Sequence, residues 1–344
     1  MKQTFSYIAL LFAFAFFMGS CSTKVDLYAD YKDIPVVYGL FDITKDTNYV
    51  KIIRAFSGND EVSINANEIA LIPDSNNYPG KLDVRIYEEK NSALGNTFTP
   101  TGRVFVLDTM TIHDKEPGVF YAPDQKVYFT TGAFKSDGQG GKYRYRLEIV
   151  KGNDTISAAT SIVGGSEFRV TTSVVNFVPG NTSPAKIAFK PAENAFLYEA
   201  RMEFNYKEKL PGQEMKDKKV EWSLGTYYFS ELSLNNGVYE LNYNHETLFK
   251  MLENAIGDET LNVQRVIGDF NIKIAAGGSE LYNYIEVNTP SSSISQNISD
   301  YTNINGGYGV LSSRINITKT VNLSSTTITS LIEKAGWGFQ QSGN

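Results

Sequence analysis

Few residues in this chain are equipped for covalent or metal chemistry. In 344 residues there are two histidines, His113 and His245, and one cysteine, Cys21. A histidine-based triad or a two-histidine metal site would need both rings to converge from distant parts of the chain. His113 lies in Thr109–Lys115 (TMTIHDK), a strand end or loop, and His245 opens a helical pattern, where a histidine is ordinary. No G-x-S-x-G, H-E-x-x-H or P-loop pattern is present. A lone cysteine rules out intrachain disulfides and cysteine-rich zinc centres. Carboxylates are plentiful, and two of them ~5–9 Å apart could flank a glycosidic bond. Most, however, alternate with core positions of strands, the mark of a solvated face. Asp137-Gly138, within Ser136–Gly141, lacks the spaced acids of a calcium loop and reads as a hairpin turn. The sequence therefore predicts no catalytic residue, no metal ligand and no cofactor.

Two other groups could serve binding. Trp222, Tyr227 and Tyr228 cluster in Glu221–Phe229. Exposed, they would form an aromatic platform that stacks on sugar rings or anchors an interface; buried, they would fill a core. Gly306, Gly307 and Gly309, with Tyr308 between them, permit a tight bend or a close backbone approach.

The elements that must position these residues read mainly as strands. Leu82, Val84 and Ile86 alternate with Asp83, Arg85 and Tyr87, and Tyr143, Tyr145, Leu147 and Ile149 alternate with Arg144, Arg146 and Glu148. In Tyr198–Lys207 one face is Tyr198, Ala200, Met202, Phe204 and Tyr206, and the other is Glu199, Arg201, Glu203, Asn205 and Lys207. One dry and one wet face per strand is the pattern of antiparallel sheets. Two helices are expected. One spans 245–256, capped by Asn244 and ended by Gly257, with Leu248, Met251, Leu252 and Ala255 on one stripe. The other spans 326–335, with Ile328, Leu331, Ile332 and Ala335. The fold class predicted is mainly β: two β-sandwich-like, immunoglobulin-like domains with two short helices. A Gly- and Pro-rich interruption at 164–185 reads as a linker between a sandwich at 34–163 and a second β-rich domain at 186–344.

The amino terminus is of another kind. Lys2 is followed by the apolar run Phe5–Phe17, broken only by Ser6. That run is shorter than the ~20 residues needed to span a bilayer but suits the core of a secretory signal. Met18, Gly19, Ser20 and Cys21 then resemble the lipobox of a bacterial lipoprotein. The resemblance implies removal of 1–20, acylation at Cys21, and a tether at 21–33. Multiple acyl chains hold a protein on a membrane where one would not.

Pro35–Val50, Ala195–Tyr206 and Tyr301–Arg314 resemble segments of Bacteroidota outer-membrane surface lipoproteins, which join a lipobox to β-sandwich domains. This resemblance implies an outer-membrane location, at the periplasmic or cell-surface face. It also implies a non-catalytic role as a binding or accessory subunit of a membrane transport or secretion complex. Two other roles stay open: a surface glycan-binding lipoprotein using Trp222, Tyr227 and Tyr228, and a surface polysaccharide hydrolase. Asp108-Thr109-Met110 and Asp154-Thr155-Ile156 are similar to O-glycosylation sites of such proteins, at Thr109 and Thr155. The charge balance, 38 acids against 32 bases with a net −6, lacks the basic surplus of a nucleic-acid binder.

Overall fold

The computed structural model describes residues 33–56, 76–91, 97–112, 124–136, 142–256, 262–288 and 301–341. Cys21, His113, Asp137-Gly138 and Gly257 lie outside them. Strands dominate, as the alternation predicts, and they form two lobes, each with its own apolar core.

The N-terminal lobe is a two-layer sandwich. One layer takes β1 (Asp33–Asp42), β2 (Asn48–Phe56), β6 (Gln125–Thr130) and β5 (Asp108–Ile112). The other takes β4 (Phe98–Val106), β3 (Asp83–Asn91), β7 (Tyr143–Lys151) and β8 (Asp154–Ser161). Period-two alternation turns Val37, Phe41, Val50 and Ile52 of the first layer onto Val84, Ile86, Leu147 and Ile149 of the second. The chain changes layer between β4 and β5 through the single buried residue Leu107.

The C-terminal lobe pairs a long sheet with a small one. The long sheet holds β12 (Leu197–Lys209), β13 (Lys216–Tyr228), β15 (Gln264–Gly277) and β16 (Tyr308–Leu323). Short β10 (Val174–Val175) pairs with the end of β16, and short β17 (Phe339–Gln340) with the start of β15. The small sheet runs β14 (Tyr239–Tyr243), β11 (Ala185–Lys190), β9 (Arg169–Val170). Between them lies the larger core, closed by helices α1 (Thr247–Ile256) and α3 (Ser325–Glu333). On β12, Tyr198, Ala200, Met202, Phe204 and Tyr206 are all buried, as the pattern predicts.

β16 belongs to both lobes. Its first half pairs in parallel with β1, from Val36↔Tyr308 to Asp42↔Arg314. Its second half pairs antiparallel with β15, from Gly277↔Arg314 to Phe270↔Val321. Arg314 is the residue at which both ladders meet. One ten-stranded sheet thus runs through the molecule, in the order β13-β12-β15-β16-β1-β2-β6-β5 on its main path. This differs from two sandwiches divided by a linker at 164–185. Ile304 and Leu311, from the C-terminal part of the chain, pack in the N-terminal core. Positions 164–185 carry β9 and β10, and Gly164 exchanges two backbone hydrogen bonds with Glu193. Local periodicity carries no information about which distant strand a segment will join.

Among the described residues there are three helices where two were expected. Helix α2 (Ser279–Asn288) buries none of its residues fully, so it has no apolar stripe to betray it. The stripes of the two expected helices are rotated from those predicted. Helix α1 buries Leu248, Phe249, Leu252 and Ile256, and α3 buries Thr327 and Leu331. Thr327 can face inward because its hydroxyl donates to the Phe177 carbonyl at 3.2 Å and accepts from the Phe177 amide at 2.7 Å. Asn244, the expected cap, stands three residues before α1, where its side chain accepts from the Glu246 amide at 2.8 Å and so forms the turn that leads into the helix.

The parallel seam requires glycine. A Cβ on Gly309, whose φ is +108°, would stand 2.0 Å from the Val37 carbonyl oxygen. Gly309→Ala is expected to lower the unfolding free energy by about 2–3 kcal/mol. Gly152→Ala, at a positive φ in open space, is expected to cost about 1 kcal/mol. Denaturant titration of the two variants measures the difference.

Candidate functional site

The outer face of the long sheet gathers polar side chains where the two lobes meet. The turn between β1 and β2 is built on Asp42, which is buried. Its carboxylate accepts from the Thr44 amide at 2.9 Å, the Thr44 hydroxyl at 2.6 Å and the Asn316 amide group at 3.2 Å. Asn48 closes the turn, accepting from the Asp42 amide at 2.7 Å. Over this floor opens a trough of about 500 Å³, walled by Leu40, Tyr49, Lys45 and Arg314. A second trough of about 340 Å³ adjoins it and shares Lys45. Strand β12 lends it Glu199 and Arg201, β15 lends Lys273, and β16 lends Asn316 and Thr318. The register that brings Arg314 beside Asp42 is the β1–β16 seam itself.

Beyond the second trough the charges are locked together. Glu203 accepts from Lys273 at 2.5 Å, from the Asn271 side chain at 3.0 Å and from the Asn205 side chain at 3.2 Å. The Lys273 ammonium, helped by the two amides and opposed by burial, holds the Glu203 carboxyl down at about 2. Glu221 bridges Lys219, Lys273 and Arg201. A carboxylate held this firmly ionised is no proton donor.

Glu280, near the start of α2, is in the opposite state. Its Oε2 accepts from the Thr160 hydroxyl at 3.1 Å and the Ser312 hydroxyl at 3.3 Å, and the Leu281 amide donates to the Ser312 hydroxyl at 3.1 Å. These contacts join α2 to β8 and β16. Burial is the largest influence and pushes the Glu280 carboxyl above its ordinary range, against the pull of the hydroxyl donors.

The aromatic trio does not share a surface. Trp222 is buried, edge-on to Phe177 and Phe270. Tyr227 packs against the same core, its hydroxyl on the Leu224 carbonyl at 2.7 Å. Tyr228 points elsewhere and meets Tyr282 of α2 at 5.1 Å. There it joins a collar of rings that sequence reading missed: Phe196 and Phe229 pair at 4.9 Å, and Tyr38 meets Tyr284 at 6.4 Å. Pairwise alternation already puts Tyr227 and Tyr228 on opposite faces of β13; nothing local reveals the helix lying over one of them. Thr155 is exposed at the start of β8, and Thr109 is half-buried on β5. His245 is buried beside Tyr243, in the C-terminal lobe. Among the described residues no group of three or more His, Cys, Asp or Glu could hold a metal ion.

No family model matches the chain, and no curated protein matches it.

Two titrations check the electrostatics. The stability supplied by Glu203 is present above the ordinary carboxylate pKa and is lost as pH falls through about 2. Carbon-13 NMR of its carboxyl is expected to show that low midpoint, and Lys273→Met to move it up toward the ordinary range. For Glu280 the sign reverses. Its contribution is present below the ordinary carboxylate pKa and is lost as pH rises through the raised value. Glu280→Gln keeps an acceptor for both hydroxyls without a charge. Its Tm between pH 4 and 8 is expected to fall less than that of the parent, and at pH 8 to equal or exceed it.

Proposed function

We propose that the chain is a lipid-anchored, non-catalytic binding protein of the bacterial outer membrane, serving as an accessory subunit to a transport or secretion complex. The observation that carries this reading is Cys21, the one cysteine of the chain, set directly after Gly19-Ser20 at the end of an apolar run. The twelve-residue span from Cys21 to the start of β1 at Asp33 reaches at most ~40 Å when extended. Strands β1 and β16 both run from that pole toward the C-terminal lobe. An anchored molecule would therefore hold its N-terminal lobe nearer the lipid and project the other away. Tethering raises the local concentration of the troughs and the aromatic collar around any membrane partner.

The site geometry favours binding over hydrolysis. Glycoside hydrolysis needs a carboxylic acid with a raised pKa facing a cleft. Among the described residues Glu280 is the only carboxyl pushed upward, and it is spent on the Thr160 and Ser312 hydroxyls. The carboxylates around the second trough are neutralised by lysine and arginine.

Metabolic labelling with an alkyne fatty acid tests the anchor. The native protein is expected to take the label and to partition into detergent, and Cys21→Ala to lose both properties. An unlabelled, freely soluble native protein would refute the reading. Crosslinking in the native membrane tests the accessory role, for which a reproducible membrane-protein neighbour is the expected result.

A further inference from the structure

We propose that the trough between Tyr49 and Arg314 is a binding site for a carboxylate-bearing sugar, such as the uronic acid unit of an anionic polysaccharide. Four observations converge on that chemistry. Tyr49 is 43% exposed and walls the cavity, so a flat aromatic face is available beside it. Amphipathic rings of this kind cover the apolar face of a sugar while leaving its rim wet.

Arg314 supplies the second feature. Its side chain is 48% exposed, and its nearest anion is Asp42, with Nε 3.8 Å from Oδ2. That distance is too long for a hydrogen bond. Asp42 is itself satisfied by Thr44 and Asn316, so it orients the guanidinium from below without engaging its fork. An uncommitted guanidinium fork is the group that receives a carboxylate through two parallel hydrogen bonds.

Lys45 is the third. It lines both troughs, and its ammonium has no hydrogen bond or ion pair among the described residues. The neighbouring cations Arg201 and Lys273 are consumed by Glu199 and Glu203. The two available cations therefore both face the first trough. Thr47 and Asp46 complete its rim with a hydroxyl and a carboxylate acceptor suited to sugar hydroxyls; the charges of Asp42 and Asp46 balance those of Arg314 and Lys45, so the ligand carboxylate must sit at the cationic wall.

The fourth is rigidity. The turn that carries Lys45, Asp46 and Thr47 is pinned by Asp42 and Asn48, and Arg314 is fixed in register by ladders on both sides. A preformed site loses little entropy on binding. About 500 Å³ is within the range of small-molecule pockets. The inference deepens the reading of the chain as a binding protein but is independent of the anchor, because the site lies wholly in the folded body.

Isothermal titration of the detergent-solubilised full chain tests it, using a galacturonic acid trimer and a neutral galactose oligomer of equal length. Saturable binding of the acidic trimer is expected, with the neutral oligomer at least tenfold weaker. Arg314→Gln, Lys45→Gln and Tyr49→Ala are each expected to weaken the acidic ligand at least tenfold. All three side chains are exposed, and an unchanged Tm identifies variants that keep the fold; Lys45→Gln, on the turn, is the safest of them. Failure of the acidic trimer to bind would overturn the proposal, as would equal binding of the neutral oligomer or unchanged affinity in folded Arg314→Gln and Lys45→Gln. None of these failures would touch acylation at Cys21, which is read separately.

Discussion

The parallel ladder between β1 and the first half of β16 is the constraint on which the rest depends. It brings a strand from the C-terminal third of the chain into the first sheet, and it does so at a backbone approach that only glycine allows at Gly309. Parallel pairing is closed only after most of the chain has been made, so its loop-closure cost falls on long-range contacts. What offsets that cost is burial on both sides. Leu311 enters the N-terminal core, and Ile315 and Val321 enter the C-terminal one. The seam therefore joins two cores that could otherwise move against each other.

From the seam follow the features of the outer face. Because β1 ends and the β15 ladder begins at the same residue of β16, the sheet changes partners there, and this step in the pairing sets Arg314 beside Asp42 and the turn that carries Lys45. Helix α2 crosses the other side of the step. It is held less by apolar burial than by the Glu280–Thr160–Ser312 hydrogen bonds and by ring contacts with Tyr38 and Tyr228. Toward the free edge at β13 the surface turns to lysine, at Lys216, Lys218 and Lys219. Charge on an edge strand opposes pairing with another chain. One face thus carries a locked ion-pair network, a long Arg314–Asp42 ion pair beside Lys45, and an aromatic collar. They differ because of what the strands beneath them bring into register.

Much of this was legible in the sequence, and the limits have physical causes. Alternation named the core residues of β12 and all but half-buried Tyr143 on β7, because a period of two is imposed by the strand itself; it missed Glu203, which its ion pair and amide donors let sit buried on the predicted wet face. The glycines before Arg314 signalled a close approach without saying to what. Helix α2 escaped because a half-covered helix needs no stripe, and Thr327 escaped because a hydrogen-bonded hydroxyl can occupy a core position that pattern reading reserves for carbon. Trp222 was ambiguous between core and surface, and only its packing against Phe177 and against Phe270 two strands away in the same sheet decides it. The trough was invisible for the same reason as the seam. Arg314 becomes a neighbour of Asp42 and Tyr49 only through a pairing more than two hundred residues apart in the chain.

Amide hydrogen exchange along β16 tests the shared strand most directly. If the seam joins both lobes, amides from Val310 to Val321 exchange through one common, slow opening, with the 310–314 half as protected as the 315–321 half. Fast exchange confined to 310–314, beside a well-protected 315–321, would show that the N-terminal lobe lets go of the strand on its own and would contradict the account.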